Sequence, residues 1–562
     1  MSVDDYEGDE IAVIGIAARV PGAPDAAAFW RNLLDGVDSI RDYTADELRA
    51  AGVPESLLSH PDYVRSAGHL DDLDRFDAEF FGYPPEEAAL IDPQHRLFLQ
   101  TAWTVLEDGG YDVTRCDGSV GVFAGAAANQ YLLRHLLPGR HSPLGPDGRL
   151  APGHTPDYLP ARVSYKLGLT GPSVAVQTAC SSSLVAVALA AQALQDFRCD
   201  LAIAGGVAVT ATTPSGYLAT EAGVLSRDGR CRSFDADASG SAPAGGAGAV
   251  LLKRLADAQE DGDHVYAVLR GWAVTNEGAG RAGFLTPGVD GQAAAVTEAL
   301  AAAELAPETL GFLEISGGGT AVGDAMEVAG LHRAFAAAGG EPTHCVLGCV
   351  KANVGNLDAA SGIAGLIKAV LAVHTGTIPA NPNFAVRNPE IDFTQGGFSV
   401  AEKTAPWPEV HAIRRAGVTA ISMNGTNAHV VVEEPPPRPI VESDGTRCEL
   451  VVSARTPELV TVAARRLADH LRAHPDLALA DVAYTLGVGR RAFGYHAIVD
   501  AATLSEACSA LDGELAIERA EPELVPGAGR RVPLPGYPFA GERHWVEPPR
   551  EGGADRPNGR NE

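Results

Sequence analysis

No run of apolar residues in the 562-residue chain is long enough to span a bilayer, and the first residues, Met1-Ser2-Val3-Asp4-Asp5, are acidic where a secretory leader is basic. A cytoplasmic protein without a membrane partner is expected. The eight cysteines (Cys116, Cys180, Cys199, Cys231, Cys345, Cys349, Cys448 and Cys508) include no CxxC pair, which argues against a zinc site or a disulfide framework. Most of them read as small buried residues, and no metal is expected. Basic residues are also scarce: 43 Lys+Arg against 72 Asp+Glu leave a net charge of −29, a field that repels polyanions and excludes nucleic acid as a partner. Surplus acid reads first as solubility. An acidic protein partner would need a local basic patch, for which Arg465-Arg466 and Arg490-Arg491 are candidates.

At 46% hydrophobic and 20% charged, the chain can bury a large core, and its length predicts a duplicated α/β core or two to three units. Strand-like runs at 11–16, 120–125, 173–177, 201–204, 247–252 and 265–274 are separated by helical segments such as 29–34 and 292–303. A second round follows, with strands at 311–314, 345–350, 416–422 and 429–433 and a helix at 359–374. The alternation predicts an α/β architecture of two similar halves with covered sheets.

Pro435-Pro436-Pro437-Arg438-Pro439 breaks the pattern. The expected organisation is a large domain over 1–434, a Pro-rich linker over 435–447, a small α/β unit over 448–525, a surface strap over 526–548 and a disordered tail over 549–562. In the small unit, Thr456-Pro457-Glu458 reads as an N-cap, a first-turn proline and an acid ahead of a helix through Ala473.

Gln177-Thr178-Ala179-Cys180-Ser181-Ser182-Ser183 runs into the apolar stretch 184–191. A turn of small residues opening into a buried helix places the Cys180 thiol at a helix N-terminus, where the macrodipole favours thiolate. Gly317-Gly318-Gly319 lacks the strand, spacing and lysine of a nucleotide loop.

Several segments together resemble the ketosynthase domains of modular type I polyketide synthases. They are 11–15, Phe76-Asp77-Ala78-Glu79-Phe80-Phe81-Gly82, Asp92-Pro93-Gln94-His95-Arg96, the run around Cys180, Gly229-Arg230-Cys231-Arg232-Ser233-Phe234-Asp235 and Gly425-Thr426-Asn427-Ala428-His429-Val430. The resemblance covers 10 to about 434 and implies a thiolase-like fold, a duplicated αβαβα arrangement of five layers, usually as a homodimer. The small unit resembles the linker that joins ketosynthase to acyltransferase, and 535–545 the strap that follows an acyltransferase. No acyltransferase or carrier-protein serine motif accompanies these pieces. The implied substrate therefore arrives on the phosphopantetheine arm of a separate acyl or peptidyl carrier protein, with no cofactor bound to this chain.

Three departures fall on the implied active site. Where the family has Glu-Ala-His-Gly-Thr-Gly-Thr, the chain reads Glu314-Ile315-Ser316-Gly317-Gly318-Gly319-Thr320, followed by the family-like Asp324 and Glu327. Where the family has Lys-Ser-Asn-Ile-Gly-His, it reads Lys351-Ala352-Asn353-Val354-Gly355-Asn356. The gate turn has become Ile421-Ser422-Met423-Asn424. In the family, two histidines stabilise the enolate formed when a malonyl extender loses carbon dioxide. Ser316 and Asn356 can donate hydrogen bonds but can neither be cationic nor shuttle protons near neutral pH.

Transfer of an acyl chain onto Cys180 needs only the sulfur and an oxyanion hole, which the resemblance assigns to the backbone N–H groups of Cys180 and Ile421. Lys351 is open to two roles, a structural cation paired with Glu327 or Asp324, or a charge that stabilises an enolate. Asp358, where the family tends to have glutamate, is a conservative exchange or a base within reach of the site. His429 reads as structural. The expected activity is an intramolecular aldol-type cyclisation with lactonising release, of γ-lactam-β-lactone type, in place of decarboxylative extension. The alternatives are a non-elongating ketosynthase that only passes chains between carriers, and a non-catalytic partner of the chain-length-factor kind, against which the presence of Cys180 speaks.

Overall fold

The computed structural model describes residues 10–116, 118–138, 151–221, 223–281, 283–393, 397–438, 446–522, 524 and 527–548. The first nine residues, most of the Pro-rich linker and the tail over 549–562 lie outside them.

Eleven strands form one mixed sheet: β1 (Ile11–Arg19), β2 (Val120–Ala126), β3 (Ser173–Ala175), β4 (Leu201–Ala208), β5 (Gly246–Arg254), β6 (Ala267–Asn276), β7 (Phe312–Glu314), β8 (Cys345–Gly348), β9 (Phe398–Val400), β10 (Arg415–Ile421) and β11 (Thr426–Glu433). Their spatial order is β9-β8-β7-β10-β11-β6-β1-β5-β4-β2-β3. Each half repeats one plan. Numbered within its own half, the first runs third-second-fourth-fifth-first (β3-β2-β4-β5-β1), and so does the second (β8-β7-β10-β11-β6), with β9 added at its edge. The halves join where Ile11–Val13 pair antiparallel with Ala267–Leu269.

The duplication extends to a bulge. Register slips by one residue between Val13 and Gly15 in β1 and between Leu269 and Gly271 in β6. At both places glycine lets a helix approach the strand, since an added Cβ would lie 2.6 Å from the Val105 carbonyl oxygen at Gly15 and 2.5 Å from that of Ala299 at Gly271.

Helices α1 (Pro93–Asp108), α2 (Ser182–Gln195), α3 (Val289–Ala302), α4 (Ala321–Ala337) and α5 (Ser361–Thr375) supply three covering layers. α2 and α5 are apolar and buried on nearly every side, as a helix sandwiched between two sheet halves must be. α1 covers the outer face of the first half, and α3 and α4 that of the second. The result is the thiolase-like α/β fold that the motifs imply.

After the proline run, β12 (Cys448–Ala454) pairs with β13 (Tyr495–Ala501), backed by α6 (Pro457–Ala473), α7 (Leu479–Gly489) and α8 (Leu504–Leu511). The Thr456 side chain caps α6 by accepting from the Leu459 N–H. This unit has no separate core: Leu450, Val482 and Leu511 belong to the same buried cluster as Phe98 and Leu106 of α1. Residues 530–546 run across both parts, where Arg96 donates to the His544 carbonyl (2.6 Å) and Ala540 N–H donates to Asp77 (2.9 Å). Among the described residues no helix is long and apolar enough to cross a membrane.

Candidate active site

Ala179–Ser181 form a single helical turn that opens α2. Ser182 Oγ accepts from the Thr178 N–H (2.9 Å) and donates to the Ala179 carbonyl (2.7 Å), which ties the turn to the helix. Small residues are required here because β2 and β4 approach so closely. An added Cβ at Gly125 would sit 2.6 Å from the Ser182 Cβ, and one at Gly206 2.9 Å from that of Ser183.

The Cys180 thiol donates to Asp358 Oδ1 at 3.7 Å. Burial pushes the thiol up to about 11, the neighbouring Asp358 charge adds to the rise, and Lys351 offsets only part of it. The expectation of a thiolate held by the helix N-terminus alone is thereby corrected. Burial and the Asp358 carboxylate both strengthen the thiol's hold on its proton. Asp358 is itself raised above the ordinary carboxylate range by burial, so it is a stronger base than a surface aspartate.

Asn356 is turned by this same segment. Its Oδ1 accepts from the Asp358 N–H (3.0 Å) and from Ser361 Oγ (3.1 Å). With its oxygen occupied, the amide offers Nδ2 donors to a guest.

Ser316 stands at the end of β7. The Glu327 carboxylate accepts from the N–H groups of Ser316 (2.7 Å) and Gly317 (2.8 Å), and burial pushes Glu327 up to about 7. Asp324 accepts from Gly319 N–H (3.0 Å) and Phe234 N–H (2.8 Å). Both acids thus shape the glycine loop instead of meeting the sulfur. Lys351 Nζ donates to Ser316 Oγ (3.0 Å) and to the Ser316 carbonyl. The ion pair with Glu327 or Asp324, one of the two roles left open for Lys351, is not made: its hydrogen bonds are both on Ser316, and Glu327 feels it only as a nearby charge.

The turn expected to act as the gate begins at Ile421, the last residue of β10. Ser422 N–H crosses to the Thr426 carbonyl (3.0 Å), so by strand alternation the Ile421 N–H points the other way, towards β7. β7 stops at Glu314, opposite Val418, and leaves that N–H beyond its last residue. The segment containing Cys180 packs against β10.

His429 is buried in β11, bonded through Nδ1 to Thr419 Oγ1 (2.8 Å), and burial pushes it down to about 3. It is a neutral core residue. Arg490 is not a surface patch: its guanidinium is sealed against the carbonyls of Glu107, Leu534 and Pro535. Arg465, Arg466 and Arg491 are exposed. One contact had no sequence signal. Arg281 donates to the carbonyls of Met423 (3.0 Å) and Asn424 (3.1 Å), across 142 and 143 residues.

The β-ketoacyl synthase N-terminal domain pattern matches residues 8–258, its C-terminal domain pattern 266–385, and a CurL-like polyketide synthase C-terminal pattern 449–511. One polypeptide of the phenolphthiocerol/phthiocerol polyketide synthase of Mycobacterium tuberculosis is 42% identical over 498 residues, which cover 86% of this chain and 33% of that protein. Another polypeptide of the same synthase is 40% identical over 511 residues, 90% of this chain and 28% of that one. The chain therefore spans about a third of the length of such relatives. Among solved structures, ketosynthase twelve of the bacillaene polyketide synthase from Bacillus amyloliquefaciens superimposes with a TM-score of 0.87 at 34% identity, covering 96% of this chain and 100% of that one. An oxazolomycin ketosynthase domain from Streptomyces albus JA3453 gives 0.83 at 33% identity, covering 96% and 98%.

Proposed function

Because the chain belongs to the β-ketoacyl synthase family, as a ketosynthase of the modular polyketide synthase type, we propose that it takes an acyl chain from a separate carrier protein and closes that chain on itself. The carrier, acyl or peptidyl, presents the chain as a phosphopantetheine thioester. Cys180 attacks the thioester carbonyl while Asp358 takes the thiol proton and returns it to the departing pantetheine sulfur. The N–H groups of Cys180 and Ile421 hold the carbonyl oxygen.

Asp358 next removes the α-proton of the bound thioester. The resulting enolate adds to a ketone carbon of the same chain and forms a carbon–carbon bond. The new alkoxide attacks the thioester carbonyl, closes a β-lactone and expels the Cys180 thiolate, which recovers the proton from Asp358. No carbon dioxide is lost and no redox partner is needed. This reading aligns the protein with ketosynthase-like bicyclases of salinosporamide-type γ-lactam-β-lactones, acting as homodimers.

The observation that carries the reading is the company around the sulfur. Cys180 meets a carboxylate at 3.7 Å, and among the described residues no histidine is a hydrogen-bond partner of Cys180, Ser316, Asn356, Lys351 or Asp358. Ser316 and Asn356 supply neutral donors that can hold an enolate oxygen but provide no cationic imidazole to pull carboxylate from malonate.

Incubation with a synthetic carrier-bound β-ketoamide chain, followed by intact mass spectrometry and product analysis, tests it. The expected result is a Cys180 adduct and a released bicyclic product, both absent in Cys180→Ala. Movement of the acyl group between carriers without a new ring would establish the transacylase reading instead. Chain lengthening with malonyl units at ordinary synthase rates would overturn cyclisation, and a protein that no carrier thioester acylates would be a non-catalytic partner.

A further inference from the structure

The gate turn is sewn to a second loop by three consecutive carbonyls. Those of Met423 and Asn424 accept from the two terminal nitrogens of Arg281, at 3.0 and 3.1 Å, and that of Gly425 accepts from the Glu277 N–H at 3.0 Å. Glu277 Oε1 in turn accepts from Asn427 Nδ2 (3.1 Å), which anchors this loop on β11. Gly425, at φ +90°, leaves room for the guanidinium, because an added Cβ would lie 2.8 Å from Arg281 Nη1. On its other side the guanidinium rests 5.2 Å from the centre of the Phe284 ring, and that ring is 76% exposed. An aromatic this exposed contributes little to the core. The contact it makes is with the arginine.

Inside the turn, Gly425 N–H donates to the Ser422 carbonyl (2.9 Å), Asn424 N–H to Ser422 Oγ (3.4 Å) and Thr426 N–H to Asn424 Oδ1 (3.0 Å). The three outward carbonyls are thus the handle by which a neighbour can set the position of the turn. The turn directly follows Ile421, whose N–H lies beyond the end of β7.

We propose that Arg281 is a positioning residue for acyl uptake: by holding the Met423 and Asn424 carbonyls it fixes the turn that places the Ile421 N–H opposite the thioester carbonyl oxygen. The inference rests on the proposed transfer of an acyl chain to Cys180. A fork with two parallel donors suits this task. A lysine, with one compact charge, can reach one carbonyl well but not hold both in a fixed relation. Displacement of an oxyanion donor by even part of an ångström weakens stabilisation of the tetrahedral intermediate, while leaving a reaction that forms no oxyanion untouched.

The test compares two reactions of the same sulfur in the full chain. Acylation by an acetyl N-acetylcysteamine thioester forms an oxyanion, whereas alkylation by iodoacetamide does not; both are followed by intact mass. Arg281→Ala is expected to slow acylation on the order of tenfold to a hundredfold and to leave alkylation within about twofold. Arg281→Lys should recover part of the loss, and Phe284→Ala should show a smaller loss in the same direction. Acylation of Arg281→Ala at the wild-type rate overturns the inference. So does an equal fall in both reactions, which would mean general disorder of the site. Failure of wild type to be acylated by any thioester, with alkylation intact, refutes the transfer reading itself and not the geometry of the turn.

Discussion

Cys180 Sγ and Asp358 Oδ1 lie 3.7 Å apart, and the two residues come from corresponding turns of the duplicated fold. Ala179–Ser181 opens α2 and Asp358–Ala360 opens α5, and each turn begins with a non-glycine residue at positive φ, Ala179 at 54° and Asp358 at 47°. Such backbone strain is retained where the surroundings over-determine it. Here the two turns pack against each other and bring a nucleophile from one half to a carboxylate from the other.

The pH dependence of the thiol follows from this contact. With Cys180 pushed up to about 11, first by burial and then by Asp358, thiolate is scarce at pH 8. Alkylation by iodoacetamide should therefore rise roughly tenfold per pH unit between about pH 7 and 10. Asp358→Asn removes the negative neighbour, which lowers the thiol's affinity for its proton and moves the whole profile to lower pH. An unchanged profile in Asp358→Asn, read by intact mass against pH, would show that the carboxylate does not act on the sulfur.

Much of the fold was legible because its signals are local. The Thr456 cap, the small-residue turn at 178–183 and the apolar runs of the central strands need only their neighbours to be read. The contacts that tune the site are separated by long stretches of chain, 178 residues from Cys180 to Asp358 and 142 from Arg281 to Met423. Nothing in the spacing of Lys351 announced that it would reach Ser316 instead of an acid. Likewise Arg490 beside Arg491 looked like surface charge, although α7 ends there and directs one guanidinium inward.

Ser316 and Lys351 should separate acyl uptake from ring closure. Ser316 Oγ accepts from Lys351 Nζ at 3.0 Å, which leaves the hydroxyl proton available as a donor aligned by a cation. Ser316→Ala removes that donor without touching the sulfur. Its expected effect is a loss of about 10²–10³-fold in the rate of cyclised product, with Cys180 acylation within a few-fold of wild type. Single-turnover analysis of both species would show this, and equal loss of both would contradict it.

Glu327 makes the glycine loop sensitive to alkali. Its folded value is raised by burial from an ordinary 4.5 to about 7, so the folded state holds this proton more tightly than the unfolded chain does. The stability it contributes is complete below about pH 4.5 and is lost as pH rises through about 7. Glu314, also pushed to about 7, and Asp108, pushed to about 6, have the same sign. Melting temperature should therefore fall between about pH 4.5 and 7 and level off above. Glu327→Gln should flatten that fall while costing about 1–3 kcal/mol at pH 6, because one amide oxygen cannot serve both the Ser316 and Gly317 N–H groups. A variant whose melting temperature falls as steeply as wild type would refute the assignment.

The segment after the small α/β unit should behave as a fastener for the whole chain. Arg490 donates to the Glu107 carbonyl at the end of α1 (2.5 Å) and to the carbonyls of Leu534 (2.9 Å) and Pro535 (3.2 Å). Glu107 Oε2 closes the loop by accepting from the Tyr537 N–H at 2.6 Å, and Tyr537 packs on Phe80 with ring centres 4.7 Å apart. Arg490→Ala would take the donor from the carbonyls of Leu534 and Pro535, at about 1–3 kcal/mol each before relaxation, and leave that of Glu107 to the Gly110 N–H. A loss of at least about 2 kcal/mol in denaturant unfolding is expected, together with new proteolytic cleavage within 533–540. Because Cys180 and Asp358 do not touch this region, the residual folded fraction should keep the wild-type alkylation profile. Wild-type resistance to both denaturant and protease would show that the strap is held by its aromatic rings alone.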